Sequence, residues 1–328
     1  MSDEIEYHKI NTMDQAVFLN RLNSGQIVFD YEYLSKCFAE DERLIQEICP
    51  HVIYGDFRFS MYVCAKKYNI LYYNITNAYW SPYSLIERPM MGAGELSVTK
   101  VYTSQSVRKN YMRYISKFLR DYNYFRVEHG MNIVESIEEL YCAGDYTLFA
   151  DIPELAPVSK LLPTESYIGP LTGKIEYFRA KETRQALEEI RELKEDANTY
   201  FVYLSMGTSG DYNVLSKYLS VLSDINVKVF MTTANYSVTD LPENVYCYSY
   251  LYVDDIMPHM DIAITNGGSG ANYQAYENQV KIIAIPDNVD QILACSKLEE
   301  KNAGFVLTKG NRKNYDAFLD KVKRIISG

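Results

Sequence analysis

The feature that most constrains this chain is the rhythm of residues 199–286. TYFVYLSMG (199–207) holds a strand-like run at 200–206, followed by a helical stretch at 213–223 and a second strand in NVKVFMTT (226–233). VYCYSY (245–250), a helix at 254–259, DIAIT (261–265), a helix at 271–278 and KIIAIP (281–286) continue the alternation. Short apolar runs separated by helical crossovers are what a parallel sheet requires, because parallel neighbours cannot be joined by a tight turn. Helices at 291–302 and 314–326 close the chain. The expected fold is α/β, with a parallel sheet in this half.

The first half repeats the pattern less completely. Residues 31–49 carry Leu34, Phe38, Leu44, Ile45 and Ile48 at helical spacing, and Pro50 ends that helix. HVIYGDF (51–57) reads as a buried strand ending in Asp56, MYVCAKKYNI (61–70) as a helix and LYYNITNA (71–78) as a strand, which together make one parallel crossover unit. Residues 106–142 read as helical, and TLFADIPEL (147–155) and ESYIGPLTG (165–173) each contain a short strand. EYFRAKETRQALEEIRELKEDAN (176–198) is a charge-rich helix resembling a connector. The expected division is 1–172, a connector at 173–198, and a second domain at 199–328. A length of 328 residues suits two domains.

Charge and special residues narrow the function. The net charge of −10 disfavours an extended nucleic-acid footprint. No apolar run reaches the ~18 residues of a membrane span. The N-terminus, MSDEIEYHKI, has neither signal-peptide nor transit-peptide character. The six cysteines are scattered without a CxxC pair, which reads as reduced thiols in a cytoplasmic protein. The four histidines show no metal-ligand spacing, so no metal is expected. Tyrosine, at 31 residues, reads mainly as a substitute for phenylalanine, with carbohydrate stacking as the rarer alternative.

Two loops concentrate small residues where strands of the second half run into helices: Gly207-Thr208-Ser209-Gly210 and Asn266-Gly267-Gly268-Ser269-Gly270. Ligands of open parallel sheets bind at such carboxyl ends, and glycines let an anion approach backbone N–H groups at a helix start. Tight packing alone also explains glycine turns of this kind. Neither loop is a Walker motif, and neither fits GxGxxG in a first crossover unit.

Taken as an ordered series, SMGTSG (205–210), LPENVYCYSYL (241–251), DIAITNGGSGANYQA (261–275), IIAIPDNVDQ (282–291) and Gly304-Phe305 resemble the donor-binding domain of GT-B glycosyltransferases. The group concerned includes the UDP-glycosyltransferases and macrolide glycosyltransferases. The resemblance implies two Rossmann-like domains, an inverting transfer from a UDP-sugar co-substrate, and no metal or cofactor. It implies that Gly267, Gly268 and Ser269 receive the donor diphosphate. Asn266 stands where most members have histidine; its amide can donate but carries no charge or proton. Ala271 replaces a residue that often adds a phosphate contact. Gln274 matches the ribose-binding glutamate, Tyr250 the residue stacked on uracil, and Leu251 the backbone that reads the base edge. Asp290 and Gln291 match the pair that holds sugar hydroxyls, although Asp290 by itself would read as a helix N-cap. Gly207, Thr208 and Ser209 match a loop that touches the phosphates. Asp254-Asp255 is contiguous and opens a helix, unlike a metal-binding DxD element.

In the first half, residues 48–83, 144–157 and 166–171 resemble the acceptor domain more weakly, and Asp56 matches an aspartate that orients a catalytic histidine. No residue matches the histidine itself. The resemblance implies that roughly 50–80 residues, about two strand-helix units, are lacking from the acceptor side. It also implies an exposed sheet edge that a second copy or a partner chain would cover. The leading expectation is a hexosyltransferase with an unidentified acceptor. The alternatives are a catalytically inactive nucleotide-sugar-binding or regulatory subunit and, against the Asp290-Gln291 pair, a sugar-nucleotide epimerase.

Overall fold

The computed structural model describes residues 5–24, 26–87, 105–172, 180–194, 199–206, 212–233, 238, 240–286, 288–307 and 315–327. The chain divides into two units, Met1–Gly169 and Pro170–Gly328.

The first unit begins with α1 (Gln15–Ser24) and α2 (Tyr31–Ile48). Asp30 caps α2 by accepting from the Tyr33 N–H, and the helix ends at Cys49 in the left-handed region (φ 50°). α1 was not expected, since its periodicity is weak. β1 (Val52–Asp56), α3 (Phe59–Lys67) and β2 (Leu71–Thr76) form the expected crossover unit. α4 (Gln105–Glu128), the short α5 (Ile137–Tyr141), β3 (Tyr146–Phe149) and β4 (Glu165–Tyr167) complete the unit. Its sheet is parallel throughout, in the order β1-β2-β3-β4. Leu34, Phe38 and Ile45 of α2 pack with Val63 and Cys64 of α3 and with Phe118, Tyr122 and Phe125 of α4.

The expectation of a buried strand at 51–57 needs correction. β1 is an edge strand, and only Gly55 within it is buried. Alternation turns Ile53 toward the helices and leaves Val52, Tyr54 and Asp56 on the opposite, exposed face. The apolar letters of the run could not reveal that one side of the strand has no neighbouring strand among the described residues.

The second unit follows the predicted alternation closely. α6 (Ala180–Leu193) precedes β5 (Tyr200–Ser205), α7 (Tyr212–Leu222), β6 (Val227–Thr232), β7 (Val245–Tyr248) and the short α8 (Val253–Ile256). β8 (Ile262–Thr265), α9 (Ser269–Glu277), β9 (Lys281–Ala284), α10 (Val289–Cys295), β10 (Gly304–Val306) and α11 (Tyr315–Ile326) follow. The parallel sheet has the order β10-β9-β8-β5-β6-β7. All four residues of β8 are buried, as an interior strand of a two-sided sheet demands. The core joins Val202, Leu204, Val229, Met231, Ile262, Ile264 and Ile283 to Tyr218 and Leu219 of α7 and Phe318 and Val322 of α11.

This order fixes where a ligand can bind. From β5 the chain moves outward through β6 and β7, then returns to the other side of β5 as β8. β5 is followed in sequence by β6 on one side and β8 by β9 on the other, the reversal of strand order, or switch point, at which open parallel sheets bind ligands. Ser205 and Thr265, the last residues of the two strands, stand side by side. No described helix is long and apolar enough to cross a membrane.

Candidate functional site

The loop after β8 is built by its own buried polar groups. Thr265 is fully buried, and its Oγ1 lies 3.0 Å from Asn272 Oδ1 and accepts from the Gly267 N–H at 3.0 Å. The Asn272 amide in turn donates to the Gly267 carbonyl at 3.1 Å and contacts Cys295 Sγ at 3.4 Å. Cys295, at the end of α10, lies under the loop with its thiol pKa pushed up to about 12 by burial, so it stays protonated and can donate toward the same carbonyl. Gly267 has φ +82°, and a Cβ there would come within 2.7 Å of Cys295 Sγ. Only glycine meets both conditions.

Gly268 is the N-cap of α9 and brings no side chain to that turn. The first-turn N–H groups of a helix have no intrahelical acceptor, and here no cap side chain takes one. Asn266 Oδ1 accepts from the Gly268 N–H at 3.3 Å, which fixes the side chain beside the helix start. Asn266, Gly268 and Ser269 are half-buried and Gly270 is exposed, so the turn is open to a ligand. Donors and helix dipole together favour an anion such as a diphosphate.

Two links hold the other expected donor residues around this loop. Gln274 of α9 donates from Nε2 to Asp254 Oδ1 of α8 at 2.8 Å, tying the segment of Tyr250 and Leu251 to α9 and leaving the Gln274 amide oxygen as the acceptor end. On the other side, the Gln291 carbonyl of α10 lies 3.4 Å from the position of a Gly267 Cβ. α10 is capped by Asn288, whose Oδ1 accepts from the Gln291 N–H at 3.0 Å. Asp290 is thus not the N-cap; it is an exposed side chain in the first turn, while Gln291 is buried. Gly207, Thr208 and Ser209 lie outside the described residues.

α6, expected only as a connector, supports the site. Its Thr183, Ala186 and Ile190 are buried, and Glu182 accepts from the Ser249 N–H at 2.8 Å, the Ser249 hydroxyl at 2.6 Å and the Tyr250 N–H at 3.1 Å. Thr183 Oγ1 accepts from the Tyr252 N–H at 3.0 Å, and Glu189 accepts from the Tyr248 hydroxyl. Burial, and then the Glu189 acceptor, hold Tyr248 well above the ordinary phenol range. Leu251 is fully buried, Tyr250 half-buried and edge-on to Tyr252 at 6.0 Å. The run of acids in 176–198 was visible in the sequence, but its partners lie 59–68 residues away.

Asp56 belongs to the first unit, exposed at the carboxyl end of β1. That unit's histidines stand elsewhere: His8 pairs with Glu6, His51 precedes β1 at its opposite end, and His129 stacks on Phe38 at 4.0 Å. Asp254 and Asp255 lie in the first turn of α8, where Asp254 bonds Gln274.

No family model matches the chain. It is 29% identical to a protein of Mycobacterium tuberculosis described as a PGL/p-HBAD biosynthesis glycosyltransferase, over 98% of this chain and 74% of that one. It is likewise 29% identical to a PGL/p-HBAD biosynthesis rhamnosyltransferase of Mycobacterium bovis, over 98% of this chain and 70% of the relative. A third relative, 28% identical over 66% of this chain and 57% of its own length, is described as an inactive PGL/p-HBAD biosynthesis glycosyltransferase of Mycobacterium bovis. Among solved structures, the spinosyn rhamnosyltransferase SpnG complexed with thymidine diphosphate superposes with a TM-score of 0.63 at 14% identity, over 96% of this chain and 75% of that one. The glycosyltransferase of kitacinnamycin gives 0.60 at 13%, over 98% and 77%. The fold is that of GT-B glycosyltransferases, the relatives by sequence are glycosyltransferases, and the chain resembles the UDP-glycosyltransferase and macrolide glycosyltransferase group.

Proposed function

We propose that the chain transfers a hexose from a UDP-sugar to an acceptor hydroxyl, inverting the anomeric carbon and using no metal or cofactor. The observation that carries this reading is the loop Asn266–Gly268 at the switch point, fixed by Thr265, Asn272 and Cys295 and opening onto an α9 N-terminus with no side-chain cap. In the transfer, a base takes the proton of the acceptor hydroxyl, and that oxygen forms a bond to the anomeric carbon as the bond to the diphosphate breaks. The α9 N-terminus stabilises the negative charge that grows on the departing diphosphate. Tyr250 holds the base and Gln274 a ribose hydroxyl. Asp290 and Gln291 hold the sugar, and Gly207, Thr208 and Ser209 complete the phosphate contacts. Asp56 serves the acceptor side as the residue that orients a base.

Calorimetric titration with UDP tests the donor site. Saturable binding is expected, weakened at least tenfold in Asn266→Ala; absence of heat with both UDP and thymidine diphosphate sinks the assignment. A titration in which Asp290→Ala leaves UDP-sugar affinity and hydrolysis unchanged removes the sugar-contact role.

The second reading, an inactive nucleotide-sugar-binding or regulatory subunit, draws on His51 lying at the amino rather than the carboxyl end of β1, on His8 and His129 being engaged with Glu6 and Phe38, and on the relative described as inactive. UDP binding without turnover of any UDP-sugar favours it. A UDP-sugar donor and six free thiols fit the cytoplasm. The exposed β1 edge fits a second copy of the chain as partner.

A further inference from the structure

The first unit holds a basic cleft that the glycosyl-transfer reading does not use. It lies at the amino ends of the strands, opposite the end that carries Asp56. α3 brings Lys66 and Lys67 to it just before β2 begins, and α4 brings Arg126 in its last turn. His129 and Asn132 follow from the turn after α4, and Tyr62 of α3 completes the wall. The cleft is open and holds about 420 Å³.

Arg126 is its unusual member, only 7% exposed. Its Nε donates to the Asn132 carbonyl at 2.6 Å, and its guanidinium carbon lies 6.0 Å and 5.6 Å from the ring centres of Tyr62 and Tyr122. Its buried Nη1 meets no acceptor among the described residues. The carboxylates around the cleft are committed elsewhere. Asp145 accepts from Lys66 at 2.7 Å and from the Tyr72 N–H at 3.0 Å. Glu42 accepts from Lys67 at 2.5 Å and from the Tyr68 hydroxyl at 3.1 Å, and Glu128 accepts from the Tyr31 hydroxyl at 2.6 Å.

Helix ends attract cations, which accounts for exposed Lys66 and Lys67 in the last turn of α3. It does not account for a guanidinium withdrawn from water, because burying a charge without a matching acceptor is costly. Contact with two rings recovers only part of that cost. Nor is Arg126 needed to shape the turn after α4. Asn123 already holds it, donating to the Val134 carbonyl and accepting from the Val134 N–H, both at 2.8 Å.

An anion in the cleft would supply the acceptor, and the two lysines narrow its class. Each ammonium has three donors and gives one to a carboxylate, so each can turn another toward the cleft. A carboxylate brings one charge and two oxygens. A phosphate group brings nearly two charges and three oxygens, which matches one guanidinium and two ammoniums. We propose that this cleft binds a phosphate group, at a site separate from the donor loop. The proposal stands independently of the glycosyl-transfer reading.

The full chain is titrated by calorimetry with inorganic phosphate in saturating UDP, with acetate as the control anion. Saturable phosphate binding is expected, with acetate at least tenfold weaker, and it should persist in Asn266→Ala, which alters the donor loop alone. Arg126→Met keeps an apolar stem and removes the charge, so phosphate binding should weaken at least tenfold. Without phosphate, the Tm of Arg126→Met should equal or exceed the parent's, since an uncompensated buried charge is gone; phosphate should raise the Tm of the parent only. An arginine that merely holds the fold would instead lower Tm equally in both buffers when replaced. Lys66→Gln and Lys67→Gln lie on the exposed rim, so they should fold and should each weaken phosphate binding several-fold. Flotation with vesicles of phosphatidylcholine and phosphatidic acid identifies the source. Vesicle binding that is lost in Arg126→Met assigns the phosphate to a lipid headgroup, and phosphate heat without vesicle binding assigns it to a free ligand. The proposal is overturned by absence of phosphate heat in the parent, or by phosphate binding lost in Asn266→Ala and kept in Arg126→Met. A Tm lowered equally with and without phosphate in Arg126→Met, or unchanged affinity in both lysine variants, overturns it as well.

Discussion

At the scale of single residues, the loop after β8, the proposed donor loop, depends on Gly267. The Cβ of Gly267→Ala would meet Cys295 Sγ at 2.7 Å, in a backbone conformation that alanine disfavours. The expected cost is about 1–3 kcal/mol for the imposed backbone strain. UDP binding should fall with it, because the carbonyl that organises Asn272 must move. Thermal unfolding and calorimetry of Gly267→Ala check both, and the double variant with Cys295→Ala separates clash from strain: only the clash is relieved. A Gly267→Ala protein with parental Tm and UDP affinity would show that the loop relaxes freely. The sequence displayed this glycine plainly, because a strand running into small residues and then a helix is a local pattern. Gly304 was also visible within the Gly304-Phe305 landmark, but its reason was not: a Cβ there would strike the Ile282 backbone of β9. Asp290 by itself reads as an N-cap of α10, yet Asn288 is the residue that caps it, since both are capping residues and only geometry separates them.

At the scale of elements, α6 is a support whose loss should be felt at the nucleotide. Glu182→Ala leaves the Ser249 and Tyr250 N–H groups without that acceptor, at about 1–3 kcal/mol for half-buried donors. UDP affinity should weaken several-fold while the far-UV spectrum stays parental; unchanged affinity would mean that the Tyr250 segment is held without α6. The same helix makes stability pH-dependent. His259 lies against α6, with its Nδ1 3.4 Å from Lys194 Nζ, and burial, then Lys194 and Arg191, lower its pKa. A depressed folded-state pKa contributes stability that is present above the unfolded value of about 6.5 and is lost as pH falls through the folded value. His129 in the first unit is lowered by burial and acts in the same direction. Tm should therefore drop between pH 7.5 and 5.5, and His259→Gln should remove part of the drop. A Tm independent of pH across that window in the parent contradicts the sign. The helix itself was legible from its charge pattern and length. Its docking was not, because a charged exposed face dominates the composition and the bonds to Ser249, Tyr250 and Tyr252 span the domain.

At the scale of the whole molecule, the two sheets differ in what covers them. A parallel sheet ordinarily has both faces buried. In the first unit the helices pack on the side of Ile53 and Val63, while Tyr54, Tyr73 and Tyr146 stack across the other face, 4.9 and 5.0 Å apart. Tyr54 is 60% exposed, Tyr146 40%, and Val52 and Leu71 each 39%. Among the described residues β1 also ends its sheet, so one line of its backbone groups faces no other described strand. The strand order that makes this an edge cannot be read from any local pattern, which is why the run at 51–57 read as buried. A second copy offers the same edge, and two-fold symmetry lets the two β1 strands pair antiparallel. The purified chain is therefore expected to sediment as a dimer at tens of micromolar, with the equilibrium moving toward monomer on dilution. Tyr54→Lys places a charge on that surface without touching the core side of β1, and should shift the protein to monomer at the same concentration with its far-UV spectrum retained. A parent that sediments as a monomer throughout, or a Tyr54→Lys variant that dimerises as well as the parent, would show that this face has no second copy upon it.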